Sequence, residues 1–154
     1  MKSLRNRADT DEILRRLGQL RSDSPRRWGR MTAPQMVCHL ADTTRLYLGD
    51  ISAAMVPAAA IQRKVMKWGA LWAPVPWPHG FKTMPELEQN GGSGTKPQEF
   101  ARDIQTLTDL TERFVQLPQD FAFRPHPFFG AMRYDEWMRL AYLHADHHLR
   151  QFGA

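Results

Sequence analysis

The sequence predicts an all-α fold, a four-helix bundle with a short extra helix in front of it. Apolar residues recur mostly at three- and four-residue steps, and no run of four to eight residues keeps the strict alternation of a half-buried strand. Prolines and glycines separate five such helical patterns. With 154 residues, 42% of them hydrophobic and 24% charged, the chain has enough apolar bulk for one packed interior, so a single domain over residues 1–154 is expected, with no staple needed for folding.

The first helix is expected from about Thr10, as its N-cap, to Leu20, with Ile13, Leu14, Leu17 and Leu20 on its inner stripe. The second opens with Thr32-Ala-Pro-Gln35, where hydroxyl and amide can cap each other's backbone N–H, and should end near Gly49. A third covers roughly Ser52 to Trp72, with Pro57 in or near its first turn, and stops before Pro74, Pro76 and Pro78. The connector PWPHGFKTMPELEQNGGSGT follows; loops of that length tend to be functional or mobile. Thr95-Lys-Pro-Gln98 repeats the capping pattern and should start a fourth helix on the stripe Phe100, Ile104, Leu107, Leu110 and Phe114, ended by Pro118. After the aromatic loop FAFRPHPFFG, a last helix runs from about Tyr134 to Phe152 and is closed by Gly153.

The formal net charge of +5 is local, because residues 1–30 hold nine Lys/Arg against four Asp/Glu and the rest of the chain is balanced. These arginines interleave with Asp9, Asp11, Glu12 and Asp23 and with the apolar stripe, which reads as the solvated face of an amphipathic helix. Without zinc-finger spacing, a glycine-rich phosphate loop or an RNA-binding aromatic signature, nucleic acid is not the expected partner. No apolar run reaches the ~20 residues of a membrane span. The start of the chain has no secretion-signal pattern and the one cysteine, Cys38, has no internal partner, so a cytoplasmic location is expected.

Chemistry is expected at the six histidines. At about 100° per residue, His144 and His148 fall ~40° apart on the apolar side of the last helix, with Trp137, Leu140 and Ala141, whereas His147 falls toward its boundary. Residues four apart stack closely enough for two imidazole nitrogens to bind one ion. An H-x-x-x-H pair alone is weak evidence, so a third group must converge, and His39 lies near the edge of the apolar arc of the second helix. Three dry imidazoles each need a partner, and one shared divalent cation satisfies all of them.

The segments that carry these histidines, RRWGRMTAPQMVCHLAD and AYLHADHHLRQFG, resemble the two motif segments of the DinB/YfiT-like metal-dependent four-helix-bundle enzymes. HPFFGAMRYDEW resembles a DinB-like branch of unknown function within that superfamily. The likeness runs from about Trp28 to Gly153. It implies that His39, His144 and His148 are the metal ligands, with an up-down-down-up topology and dimers among the relatives. It also implies thiol-dependent transferases or isomerases that use bacillithiol, mycothiol or glutathione. Arg133 departs from the Ser/Thr cap expected before the last helix.

Three neutral ligands leave an ion its full double charge and an open position, the pattern of catalytic rather than closed sites. The expected function is a metal-dependent transfer or addition that joins a low-molecular-weight thiol to a small electrophile, with hydrolysis as another use of the same ion; no catalytic side chain is assigned. Zn²⁺ is the first expectation, and Ni²⁺, Fe²⁺ and Mn²⁺ suit imidazole as well. The alternative is a non-catalytic bundle, either a metal-stabilised dimer or an interaction module. Asp42 reads as a surface carboxylate, with orienting a ligand or acting as a base as its other roles, and Cys38 as a small buried hydrophobe rather than a ligand. His126 is expected to cap the bundle with its aromatic loop or to line a pocket mouth. His79, with Trp72 and Trp77, is expected to pack as ordinary loop or to form a lid. Gln151 should hydrogen-bond near the ion or end the helix face.

Overall fold

A computed structural model describes residues 1–80 and 83–154; residues 81 and 82 of the expected connector lie outside it. Its elements are α1 (Arg7–Leu17), α2 (Ala33–Leu48), α3 (Ala60–Trp72), a 3-10 turn (Pro85–Leu87), α4 (Phe100–Val115) and α5 (Tyr134–Gln151), with no strand among the described residues. The all-α expectation holds, as a four-helix bundle with an extra helix in front.

The cap of α2 forms as the sequence indicates. Thr32 Oγ1 accepts from the Gln35 N–H at 3.3 Å and Gln35 Oε1 accepts from the Thr32 N–H at 2.9 Å. Gly49 closes the helix at φ 81°, a left-handed conformation that glycine adopts without steric cost. Helix α5 starts at Tyr134 without a Ser/Thr cap because Glu136 Oε2 accepts the Arg133 N–H at 2.8 Å. That carboxylate is held in turn by Lys67 Nζ of α3, at 3.1 Å from Oε1.

Three helix starts differ from expectation, α1 because the residue expected as its cap bonds elsewhere nearby, and α3 and α4 because backbone or a side chain finds a tertiary partner. Helix α1 begins at Arg7, capped by Asn6, whose Oδ1 accepts from the Ala8 N–H at 2.9 Å. Thr10 is buried inside that helix and donates to the Leu4 carbonyl. Helix α3 begins at Ala60 rather than Ser52. The residues before it run extended, with the Val56 N–H on the Pro127 carbonyl at 3.1 Å and the Val56 carbonyl accepting from Arg63, and Pro57 disfavours helix at Val56. Helix α4 begins at Phe100, capped by the Glu99 carboxylate, which accepts from the Ala101 and Arg102 N–H groups. Thr95, expected as that cap, donates both its N–H (2.7 Å) and its hydroxyl (2.8 Å) to Asp42 of α2 instead.

The interior is built chiefly where α2 packs on α4, and α1 and α3 both lie against α5. Met36 and Val37 from α2, Leu107 and Phe114 from α4, Met138, Leu140 and Leu149 from α5, and Ile13 and Leu17 from α1 are all almost completely buried. Burying an aliphatic or aromatic side chain of this kind is worth about 1.5–3 kcal/mol, so this core fixes the relative positions of α2 and α5, the two helices that carry the histidine triad. No described helix is long and apolar enough to cross a membrane.

Candidate metal centre

His39 projects from the second turn of α2, and His144 and His148 from successive turns of α5. Their packing brings three Nε2 atoms together: His39 to His144 at 3.3 Å and His148 to His144 at 3.1 Å. Nitrogens placed 2.0–2.1 Å from one tetrahedral ion would lie about 3.3 Å apart, close to both separations. The three donors all fall within 4.8 Å of one another, and the site can hold a metal ion.

The protons are placed by neighbouring groups. His39 Nδ1 is 3.0 Å from the Leu87 carbonyl, which can only accept, so the ring's proton sits on Nδ1 and Nε2 presents a lone pair. The Gln151 amide nitrogen donates to the Trp28 carbonyl at 2.8 Å, which leaves Gln151 Oε1 to accept from His148 Nδ1 at 2.9 Å. His148 Nε2 therefore also presents a lone pair. Only His144 Nε2 can therefore carry a hydrogen toward the cluster, and one N–H facing two lone pairs leaves at least one of them poorly satisfied, a need that a shared cation meets in full. Burial drives all three imidazoles toward the neutral form, helped at His144 by His148 and His39 and at His148 by His39. The donor set therefore fits a divalent ion.

Outer contacts tie the rings to three separate segments. Leu87, the last residue of the 3-10 turn, holds His39, and Gln151, in the last turn of α5, holds His148. Trp28 belongs to the segment before α2, and neighbouring Gly29, at φ 78°, leaves room for the Gln151 amide where any Cβ would collide with it. His39 and His148 are buried, at 4% and 8% exposure, whereas His144 is only partly so, which makes its side of the cluster the accessible one. There Trp77 lies 5.9 Å from the His144 ring and 5.8 Å from that of His147, and His79 stacks on Trp28 at 4.3 Å. An interior cavity of about 20 Å³, room for one water, touches His144 from the core side.

The other expected residues separate clearly. Asp42 is no surface carboxylate: it is 3% exposed and binds Thr95 and Arg45, the latter at 2.8 Å. A buried anion needs such partners; the guanidinium stands one turn on in the same helix, whereas Thr95 comes from the far end of the connector, whose proximity no local pattern reveals. Cys38 is buried outside the triad, its thiol pushed up to about 12 by burial, with Asp103 and Asp42 adding to the effect. His126 caps the bundle, stacked on Phe129 at 4.5 Å with Nδ1 accepting the Phe128 and Phe129 N–H groups; it is not among the converging donors. Trp77 and His79 lie beside the site, whereas Trp72 is exposed and sits over Arg139. His147 is half-buried, its ring 5.2 Å from that of His148. Sequence reasoning missed the Leu87 and Trp28 carbonyls, since backbone acceptors leave no residue signature.

No curated protein and no solved structure matches the chain. One family model does, over residues 2–154, and the chain belongs to that family, described as a protein of unknown function (DUF1569).

Proposed function

We propose that His39, His144 and His148 bind one divalent cation and that the protein uses it to activate a low-molecular-weight thiol against a small electrophile. The observation that carries this reading is the convergence of three Nε2 atoms of which at least two hold lone pairs, each set by an outer hydrogen bond. The resemblance of the two histidine segments to DinB/YfiT-like enzymes supports it independently. A divalent ion held by three neutral ligands supplies Lewis acidity at its remaining position, where a thiol or a water becomes more acidic. The chain's own residues bind and orient. Leu87 and Gln151 fix two ring tautomers, the buried side of the triad excludes water, and the partly exposed His144 side, flanked by Trp77 and His147, admits the reactants. In the transfer, a sulfur–carbon bond forms as the leaving group departs with its electron pair and the thiol's proton passes to solvent; in an addition, that proton ends on the carbon next to an enone's carbonyl or on the oxygen of an opened epoxide.

Zn²⁺ is the proposed ion, with Ni²⁺, Fe²⁺ and Mn²⁺ compatible with the same ligands. The test is elemental analysis of purified protein and of His144→Ala, followed by a screen of bacillithiol, mycothiol and glutathione against haloaromatic, epoxide and enone electrophiles. Stoichiometric metal that is lost in the variant, together with metal-dependent thiol consumption, is the expected result. Metal content unchanged by His144→Ala ends the proposal. Stoichiometric metal without turnover leaves the second reading, a non-catalytic clasp, which is favoured by the way the outer contacts pin three segments to the triad.

A further inference from the structure

Among the described residues, the buried side-chain polar atoms that lack a hydrogen bond gather in one short stretch: Glu86 Oε2 and both Oε1 and Nε2 of Gln89, with only Trp137 Nε1 elsewhere. Leaving such atoms unpaired is costly, most of all for a carboxylate oxygen, and in a native fold it calls for a partner from outside the chain. The Ala54 N–H, at 3.2 Å, satisfies Glu86 Oε1 but not Oε2. A surface cleft of about 320 Å³, the size of a small-ligand site, lies at this stretch. Glu86 lines it, and the broad terminal torsion of a glutamate lets the carboxylate turn toward a donor there. Gln89 Nε2 packs so closely on Gly94 that a Cβ there would sit 2.6 Å from it, and Gly94 stands in the chain between Ser93 and Thr95 of the cleft wall.

The charges decide what can enter. Asp42 and Arg45 also line the cleft, but they are paired at 2.8 Å, and Thr95 donates its N–H and its hydroxyl to the same carboxylate. Lys96 is turned onto the Gln89 and Gly92 carbonyls and does not line the cleft. Glu86 therefore leaves the cleft with an excess of negative charge, which disfavours an anion. A hard divalent cation such as Ca²⁺ takes about six to eight oxygen ligands, and here it would find one carboxylate oxygen without a partner. An ammonium group, which carries three donors on one atom, fits that oxygen better. Ser52 and Ser93 add hydroxyls that both donate and accept, and Ile51 adds a short apolar surface.

We propose that this cleft binds a small amino alcohol, whose ammonium donates to the Glu86 carboxylate and whose hydroxyls bond with Ser52 and Ser93. It is a second site, apart from the proposed activity. The cleft shares its 3-10 turn with the metal centre, because Leu87 next to Glu86 holds His39, yet no histidine of the triad lines it.

The test is a ¹H–¹⁵N shift titration of the full chain, to millimolar concentrations, with serinol, a propanediol that carries an ammonium on its middle carbon. Glycerol, which has a hydroxyl in place of that ammonium, is the control. Serinol should give saturable shifts centred on residues 51–54, 86–89 and 93–95, the Gln89 side-chain amide among them. Glycerol should bind roughly tenfold more weakly or worse, the cost of losing a charge-assisted hydrogen bond. Glu86→Gln keeps an acceptor for the Ala54 N–H and should weaken serinol by a similar factor, with far-UV circular dichroism unchanged. Ser93→Arg, at an exposed position, should fill the cleft and abolish the shifts, so the outcome does not hang on one variant folding. His144→Ala should bind serinol as wild type does. The inference is overturned by an absence of saturable shifts, by glycerol binding as tightly as serinol, or by folded Glu86→Gln and Ser93→Arg that bind undiminished. Shifts that disappear in His144→Ala put the amine on the metal centre, and Ca²⁺ that saturates the cleft where serinol does not makes it a cation site; either result overturns the inference too. Metal content is not read here, so failure of this site and failure of the proposed activity are told apart.

Discussion

Gln151 shows how much of the metal centre rests on one uncharged side chain. Its amide bridges the Trp28 carbonyl and His148 Nδ1, and so decides which nitrogen of that imidazole faces the triad. Gln151→Leu removes the acceptor, frees the ring to turn and leaves the Trp28 carbonyl without its donor. Outer-contact changes of this kind cost about 10–100-fold in metal affinity, and that loss is expected in a chelator-competition titration with the fold retained. His126 makes a separate prediction at the same scale. Burial pushes it from the usual 6.5 down to about 3, and the neutral ring accepts two backbone N–H groups inside the aromatic loop. With its folded pKa below its unfolded one, His126 contributes stability that is complete above pH 6.5 and lost as pH falls from 6.5 toward 3. In metal-free protein, unfolding free energies measured across that range should fall less steeply for His126→Gln, by up to about 1.4 kcal/mol per pH unit.

Between elements, Asp42 joins α2 to the far end of the connector. It accepts from Thr95 twice and from Arg45 once, and it stands one turn beyond His39, whose other partner, Leu87, comes from the same connector. Asp42→Ala leaves the partly exposed Thr95 hydroxyl and amide and the Arg45 guanidinium without their acceptor, a loss of about 1–2 kcal/mol measurable by urea unfolding. Metal binding should weaken with it, because the segment that holds His39 Nδ1 loses an anchor; Asp42→Asn, which keeps one acceptor, should lose less. The same residue marks the limit of what was legible in the sequence. Helices could be read wherever one face repeats over many residues, and Thr32, Gln35 and Gly49 bounded α2 because cap and partner lie within four residues. The histidine triad was legible for the same reason: a four-residue step and an apolar arc are local facts. Thr95 misled because its bonds go to Asp42, 53 residues away, and Ser52 because Pro127 and Phe128 hold the backbone before α3 and its Arg63. Burial of Asp42 was illegible for the mirror-image reason, since Arg45 at i+3 is an ordinary helix-surface pair and only the tertiary fold brings Thr95 to the carboxylate.

Across the whole molecule, the triad joins α2 and α5 through residues 105 positions apart, and the packed core already holds those helices together. That apolar packing does not involve the three ring nitrogens, so metal removal is expected to loosen the protein without unfolding it. A ligand bound only by the folded state adds RT ln(1 + [L]/Kd), about 4 kcal/mol at a thousand times Kd. For a chain of this length each kcal/mol moves Tm by roughly 2–4 °C, so saturating Zn²⁺ should raise the metal-free melting temperature by about ten degrees. The rise should vanish in His144→Ala and in His39→Ala, and the far-UV spectrum of chelated wild type at 25 °C should remain helical. If chelation instead abolishes the helical spectrum at that temperature, the ion is a requirement of folding, as in small zinc domains, and the clasp displaces the catalyst as the reading of the site. Retained helicity with a metal-dependent Tm places the ion where it can exchange ligands without endangering the fold, the condition that an open coordination position requires.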